Sequence, residues 1–418
     1  MAAPNEQPKP DRRAVYSVDQ FLTLYAPAFI FALGASIATP VIPVFAKSFD
    51  TGFGVASLVI VIHALGGLFA ALPTGFLLDK FGRRPVLFIG PTVMALSSIL
   101  TAVASSFPEL LVYRFIGGWA MEMWRQARLA VVADRSRRSQ RGRQLTGMVG
   151  VEASGRLIGP AVGGFLAAWS IRTPFVVHGI LALLAIVPSF FLVKETAPLA
   201  NRRGAQNDDA PLSNRELWRM IRDGGLVGFF PAQFFASMTR GVLWGGTLLL
   251  YATFAYGTSA QLLGGLATAA SVIGIPVTLS CGYLMDRFGR KTTMVPGFTL
   301  IALGLLFLAC GAQWHWSLVS FIAGFFWVHG GHSVTSGSMQ VIGSDMAPAN
   351  ARGRFFGIWR LVGEIGALVS PLLFAFVAEH FAYSAAFALF ALCSFATALL
   401  LAFSVKETRH SGRRSEDS

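Results

Sequence analysis

The sequence predicts an all-α membrane protein of twelve transmembrane helices, built as two pseudo-symmetric six-helix bundles. Three observations lead there. The chain of 418 residues is 54% hydrophobic, holds 36 Phe and is only 13% charged. The stretch Gly75-Phe-Leu-Leu-Asp79-Lys80-Phe-Gly82-Arg83-Arg84 returns as Gly282-Tyr-Leu-Met-Asp286-Arg287-Phe-Gly289-Arg290-Lys291, with six of ten positions identical. Further echoes link the halves at offsets of 207, 211 and 212 residues, as a duplicated six-helix unit would.

Residues 1–20 form a polar, Pro-containing tail. Apolar runs long enough to span hydrocarbon follow at 21–46, 55–77, 86–106, 109–133, 144–168 and 173–193, and again at 226–252, 260–283, 292–312, 317–342, 354–378 and 384–405. The expected domains are therefore a tail at 1–20, a bundle at 21–193, a linker at 194–225, a second bundle at 226–405 and a tail at 406–418. Within the linker, Ser213-Asn-Arg-Glu216 has capping-box spacing and opens the amphipathic run Leu217 to Arg222. That run reads either as a helix lying on the inner membrane surface or as an ordinary linker helix. The first run lacks a short apolar core with a small-residue cleavage site, so it reads as a retained span.

With these spans, and with Arg354 at the edge of the eleventh counted to its loop, 26 of the 34 Lys and Arg fall in loops and tails on one side, and only Lys47 and Arg172 on the other. Cationic loops remain in the cytoplasm, which places both termini there in a multi-pass protein of the cell (inner) membrane. The net charge of +13 thus faces anionic lipid and does not imply nucleic acid. Cys281, Cys310 and Cys393 lie inside apolar runs, with neither disulfide nor metal-ligand spacing.

The echoes are specific. Asp134 is followed by Arg141-Gly-Arg143, and Asp345 by Arg352-Gly-Arg354; the sixth span closes with Lys194-Glu-Thr196 and the twelfth with Lys406-Glu-Thr408. The spacing from Arg141 to Pro160 equals that from Arg352 to Pro371. Parallel repeats of this kind build transporters whose substrate site lies between the halves.

Over essentially its whole length the chain resembles a major facilitator superfamily transporter, on the strength of the loop motif and its repeat. Two stretches resemble the twelve-helix drug:proton antiporter family of that superfamily. They are Gly155-Arg-Leu-Ile-Gly159-Pro160-Ala-Val-Gly163-Gly164 in the fifth span, and Leu33-Gly34 with Pro40-Val-Ile-Pro43 in the first. The fifth-span glycines are expected to let helices approach closely. The fourth span has Arg114 and Gly118 of the family's basic motif, then departs from it at Trp119 and Glu122. A carboxylate is stabilised near a helix N-terminus. The resemblance implies that Asp79 meets the start of the eleventh span, with Arg83, Asp134 and Arg141 joining it. It implies a counterpart in which Asp286 meets the start of the fifth span, with Arg290, Asp345 and Arg352. Such clusters would latch the cytoplasmic side shut.

Charges inside spans are costly and mark the substrate path. On the fourth span Arg114, Gly118, Glu122, Arg125 and Arg128 fall within an arc of about 120°. Glu152 and Arg156 are four apart on the fifth span, and Arg360 and Glu364 on the eleventh; Arg240 lies deep in the seventh. Counting about 1.5 Å per residue from the cytoplasmic ends matches Arg125 with Glu152 and Glu122 with Arg156, so these are the expected cross-helix pairs. His329 and His332, three apart in the tenth span, could titrate or hold a metal, but no third ligand has suitable spacing, and no metal or cofactor is expected.

No phosphate-cradling Gly-rich loop with Lys-Ser/Thr is present, so an ion gradient and not ATP is the expected energy source. The leading expectation is a proton-coupled exporter of small molecules or drugs, acting as a monomer, with protons as the coupling ion. Six intramembrane arginines against three glutamates, and no acid in the first span, keep uptake or exchange of an organic anion or other metabolite open. A membrane-embedded enzyme or sensor finds no support in any nucleophile, His–acid or metal pattern, so no enzyme is expected.

Overall fold

A computed structural model of the chain describes residues 25–135, 138–187, 228–244, 246–346 and 352–405. Both tails and the linker run Leu217 to Arg222 lie outside the described residues, as do the Lys-Glu-Thr echoes. The described residues form helices that supply all twelve spans. The N-terminal half holds α1 (Ala26–Ala38), α2 (Val41–Lys47), α3 (Phe53–Phe81), α4 (Arg83–Val103), α5 (Phe107–Arg135), α6 (Arg138–Ala167) and α7 (Thr173–Leu184). The C-terminal half holds α8 (Phe229–Trp244), α9 (Thr247–Tyr256), α10 (Ala260–Phe288), α11 (Lys291–Gln313), α12 (Leu318–Thr335), α13 (Ser338–Met346), α14 (Arg352–His380) and α15 (Tyr383–Phe403). Among them, seven runs are long and apolar enough to cross hydrocarbon on composition alone. The outward-facing Phe69, Leu72, Phe165, Leu279 and Phe403 are exposed, as lipid-facing side chains should be.

Three spans expected to be single helices are each two. The first breaks between α1 and α2 at Thr39-Pro40, the seventh before α9 at Gly246, and the tenth at Ser336-Gly337. The repeated loop is also tighter than its charge run suggested. Asp79 and Lys80 still belong to the last turn of α3, and α4 starts at Arg83. Gly82 alone makes the turn, with φ of 90°, and Gly289 does the same in the second half with φ of 108°. Both angles lie where a Cβ is disfavoured, which accounts for the glycine in both copies.

The two halves pack alike. The first span lies on the fifth as the seventh lies on the eleventh; the third lies on the sixth as the ninth lies on the twelfth. Between the halves, α6 meets α10 and α3 meets α14, two contacts that the pseudo-symmetry exchanges. Both are closed at the end away from the repeated loops. Gly264 sits against the Pro160 backbone, and Ala161 N–H donates to Thr268 Oγ1 at 3.0 Å. Gly54 N–H donates to Glu379 Oε1 at 3.2 Å, and Lys47 Nζ donates to the Thr253 carbonyl at 2.8 Å. Phe53 enters a ring of Phe254, Phe374 and Tyr383, with centroids 5.6, 6.0 and 5.1 Å away. At the other end of the same four helices, Gly75, Gly150, Gly282 and Gly357 have open space where a side chain would point. The bundle is shut at the Phe53 end and parted at the loop end.

The fifth-span glycines occupy close contacts. An added Cβ at Gly155 would lie 2.9 Å from Leu33 N; at Gly159 it would overlap Ser36, and at Gly163 the Ile37 backbone. Gly164 faces the other way, with its Cβ position 2.8 Å from the Ala260 carbonyl of α10. Pro160 is buried between these two seams. Gly163→Leu is therefore expected to cost on the order of 1–3 kcal/mol by forcing α1 and α6 apart. Gly150→Leu, on the same helix with nothing nearby, should stay within about 0.5 kcal/mol. Thermal unfolding of the two variants against the parent checks this, and equal losses would show that the α1–α6 seam is not what Gly163 protects.

Candidate functional site

The charged face of α5 turns inwards, because a hydrocarbon-facing guanidinium would be unsolvated. Arg114, Arg125 and Arg128 line a cavity of about 430 Å³ together with Glu152 and Arg156 of α6. A second cavity of about 550 Å³ lies mainly in the C-terminal half, lined by Arg240, His332, Gln233, Ser237 and again Arg156. A third, of about 370 Å³, runs between α3, α5 and α14 and includes Glu122, Arg125, Gln126, Arg360 and Glu364. Arg125 and Arg156 each border two of the three. Gly118 instead presses against the His63 backbone of α3.

The ion pairs differ from those expected by depth. Arg125 turns to Glu122 of its own helix, Nε and Nη2 lying 2.8 and 2.5 Å from Oε2. Gln126 completes that carboxylate, donating to Oε1 at 2.7 Å and to the Ala71 carbonyl at 3.1 Å. Glu152 takes Arg128 across helices and Arg156 from its own helix, the latter at 3.2 Å. Neither Arg125–Glu152 nor Glu122–Arg156 forms. Two physical reasons account for this correction. Neighbours three or four apart on one helix are already within reach, and α6 packs on α1 and α10 with little contact to α5, so equal depth does not imply contact. Arg360 and Glu364 approach to 3.7 Å, both side chains more than half exposed.

The histidine pair is divided. His332 borders the second cavity, whereas His329 contacts its own helix, its Nδ1 lying 2.9 Å from the Phe325 carbonyl and its ring against Phe325. Among the described residues no group of three or more metal-ligating side chains occurs. Two histidines missed in the sequence border the first cavity instead. His63 Nδ1 lies 3.1 Å from the Arg114 carbonyl, and His178 Nδ1 lies 3.0 Å from Ser98 Oγ. Their signal was available, since each is an isolated imidazole in an otherwise apolar run, where a polar group requires a reason.

At the loop end, Arg83 Nε holds Asp134 at 2.9 Å while its Nη1 donates to the Leu78 carbonyl at 3.0 Å, tying the ends of α3 and α5 together. Asp79 is exposed and makes no ion pair to a described residue. Its implied contact with the start of the eleventh span is absent from this arrangement, in which α3 and α14 have parted at that end. Arg290 is half-buried and engaged. The side chains of Arg141, Asp286, Asp345 and Arg352 lie outside the described ones.

Comparison with known proteins agrees with this architecture. The family model described as Major Facilitator Superfamily matches twice, over residues 24–230 and 229–418. The quinolone resistance protein NorA of Staphylococcus aureus is 29% identical over 202 residues, which are 48% of this chain and 52% of that protein. Multidrug resistance protein 2 of Bacillus subtilis (strain 168) is 25% identical over 277 residues, 65% of this chain and 68% of that protein. The matched part thus spans about half the length of the first of these relatives. An inward open conformation of the xylose transporter XylE from E. coli has a TM-score of 0.71 at 17% identity, covering 92% of this chain and 96% of that one. A D-xylose-proton symporter structure gives 0.72 at 17%, covering 94% and 98%. At such identity the likeness is one of fold.

The Arg128–Glu152 pair is the more buried of those made by Glu152, with side chains 9% and 17% exposed, whereas Arg156 is 43% exposed. Arg128→Met should therefore cost about 1–3 kcal/mol, because it takes from a partly buried carboxylate its better-shielded partner while Arg156 remains. Arg156→Met should cost under about 1 kcal/mol. Unfolding midpoints in detergent measure both, and equal losses would mean that solvent reaches Glu152 freely.

Proposed function

The chain belongs to the major facilitator superfamily, and from that premise we propose that it is a secondary active transporter of the cell membrane which exports small molecules in exchange for protons. The observation that carries this reading is the bundle shut at one end and parted at the other, with charged cavities within and between its halves. Alternating access needs such a two-state element. The positive-inside distribution places the parted end, with both termini, in the cytoplasm, so this arrangement is inward-facing. The names of the relatives, for quinolone and multidrug resistance, support export of drug-like molecules.

In the opposite state the loop end closes, and Asp79 reaches the start of α14, with Arg83 and Asp134 already fixed beside it. The second copy, with Asp286, Arg290, Asp345 and Arg352, makes the counterpart, and Arg141 belongs to the first. Asp79→Asn is expected to remove most transport while insertion and unfolding temperature stay near those of the parent. A variant that transports normally would make the loop merely topogenic.

Coupling is assigned to Glu122 and Glu152, with Glu364 third. Burial favours a protonated carboxyl and a neighbouring guanidinium favours the carboxylate. A glutamate that exchanges an arginine for a proton during the cycle can thus load and release. Each of the two has such an arginine in contact. Glu122→Gln or Glu152→Gln should abolish pH-driven net transport in proteoliposomes while counterflow, which needs no net proton movement, persists. Net transport still proportional to ΔpH in both variants would remove them as carriers. Uptake or exchange of an organic anion is the second reading, favoured by the excess of arginines over glutamates around the three cavities.

A further inference from the structure

The cavity of the N-terminal half holds buried polar atoms that the fold leaves unmet. Arg114 Nε, Arg128 Nε, Trp124 Nε1 and His178 Nε2 are each buried without a hydrogen-bond partner, and all four side chains border this cavity. Guanidinium and indole nitrogens only donate. His178 Nδ1 lies 3.0 Å from Ser98 Oγ; in the tautomer in which the Ser98 hydroxyl donates, the ring's Nε2 carries a proton and donates too. Buried polar groups are normally satisfied, so a set of unmet donors around one space describes the acceptor that is missing.

Charge points the same way. Glu152 is the carboxylate bordering this cavity among the described residues, and its two oxygens are taken by Arg128 and Arg156. Arg125 is taken by Glu122. Arg114 has no carboxylate partner among the described residues, and it stands close enough to His63 and His178 to interact electrostatically with both. An incoming cation would meet guanidinium groups and a carboxylate that is already paired. The remaining lining combines the hydroxyls of Ser36, Thr39, Ser97 and Thr101 with apolar and aromatic side chains, including Phe31, Met94, Met121 and Phe175.

We propose that this cavity selects amphiphilic organic anions, holding one carboxylate-like group at Arg114 and His178 and an apolar body against Phe31, Met94 and Phe175. The inference rests on the transporter reading and names its substrate class. Arg114 supplies the charge and the directed N–H groups, a pairing that a neutral or cationic head cannot use. Glu152, already paired, serves the proton and not the substrate.

The test uses three probes with one body: 2-naphthoate, 2-naphthamide and 2-naphthylmethylammonium, titrated calorimetrically into the full chain purified in detergent. Naphthoate should bind about tenfold or more tighter than naphthamide, the scale of one charge-assisted hydrogen bond, and the ammonium probe weakest. Arg114→Gln should bring naphthoate down to naphthamide, and Arg114→Lys should retain part of the difference. Should Arg114→Gln fail to fold, the parent and Arg114→Lys still decide. Equal binding of naphthoate and naphthamide by the parent, tighter binding of the ammonium probe, or no binding of any probe would overturn the inference. Naphthoate binding without movement of any solute in proteoliposomes would instead overturn the transporter reading and leave the anion preference standing.

Discussion

Charge inside a membrane-spanning bundle governs this molecule. Six arginines and three glutamates lie within the spans away from their ends, and hydrocarbon can stabilise none of them. The bundle must turn them towards its middle and satisfy them there. Glu122 is held by Arg125 and Gln126, and Glu152 by Arg128 and Arg156. The helices that carry these groups therefore border cavities, while Phe69, Leu72 and Phe165 face outwards. Because arginines outnumber carboxylates, the pairing cannot close completely, and Arg114 is left without a carboxylate partner among the described residues.

Where the halves meet, the chemistry is of another kind. The closed end is made of a phenylalanine in an aromatic ring, a lysine on a carbonyl and a backbone amide on Glu379. None of these is a cross-half pair of buried charges, so parting them would not strand an ion in a low-dielectric gap. The loop end holds the opposite resource. Arg83 fixes Asp134 within its own half, and Asp79 stands exposed. A seal of rings at one end, with the charge latch proposed above at the other, would allow the two ends to close alternately.

Within each half, glycine makes the helices into stiff bodies. Gly155, Gly159 and Gly163 bring α6 onto the backbone of α1, and Gly164 meets α10 on the opposite side. Close backbone approach is the means by which helices associate where no hydrophobic drive exists between them. The same helix thus belongs rigidly to one half while serving as a contact surface to the other. That combination suits rocking of one bundle against its pseudo-symmetric partner.

The sequence by itself determined the class of fold, the duplication and the set of charged residues that border the cavities. These depend on local quantities: apolar length against hydrocarbon thickness, identity between repeats, and the cost of charge in lipid. Only the tertiary structure decided who pairs with whom. Arg125 turned to Glu122 and Arg128 crossed to Glu152 because α6 packs on α1 and α10, which depth counted along α5 does not encode. His63 and His178 entered the site for a similar reason: single residues on α3 and α7 have no spacing to read until packing brings both beside Arg114. The open loop end was likewise illegible, since the same sequence must support both arrangements of its halves, and contact geometry alone shows which one is present.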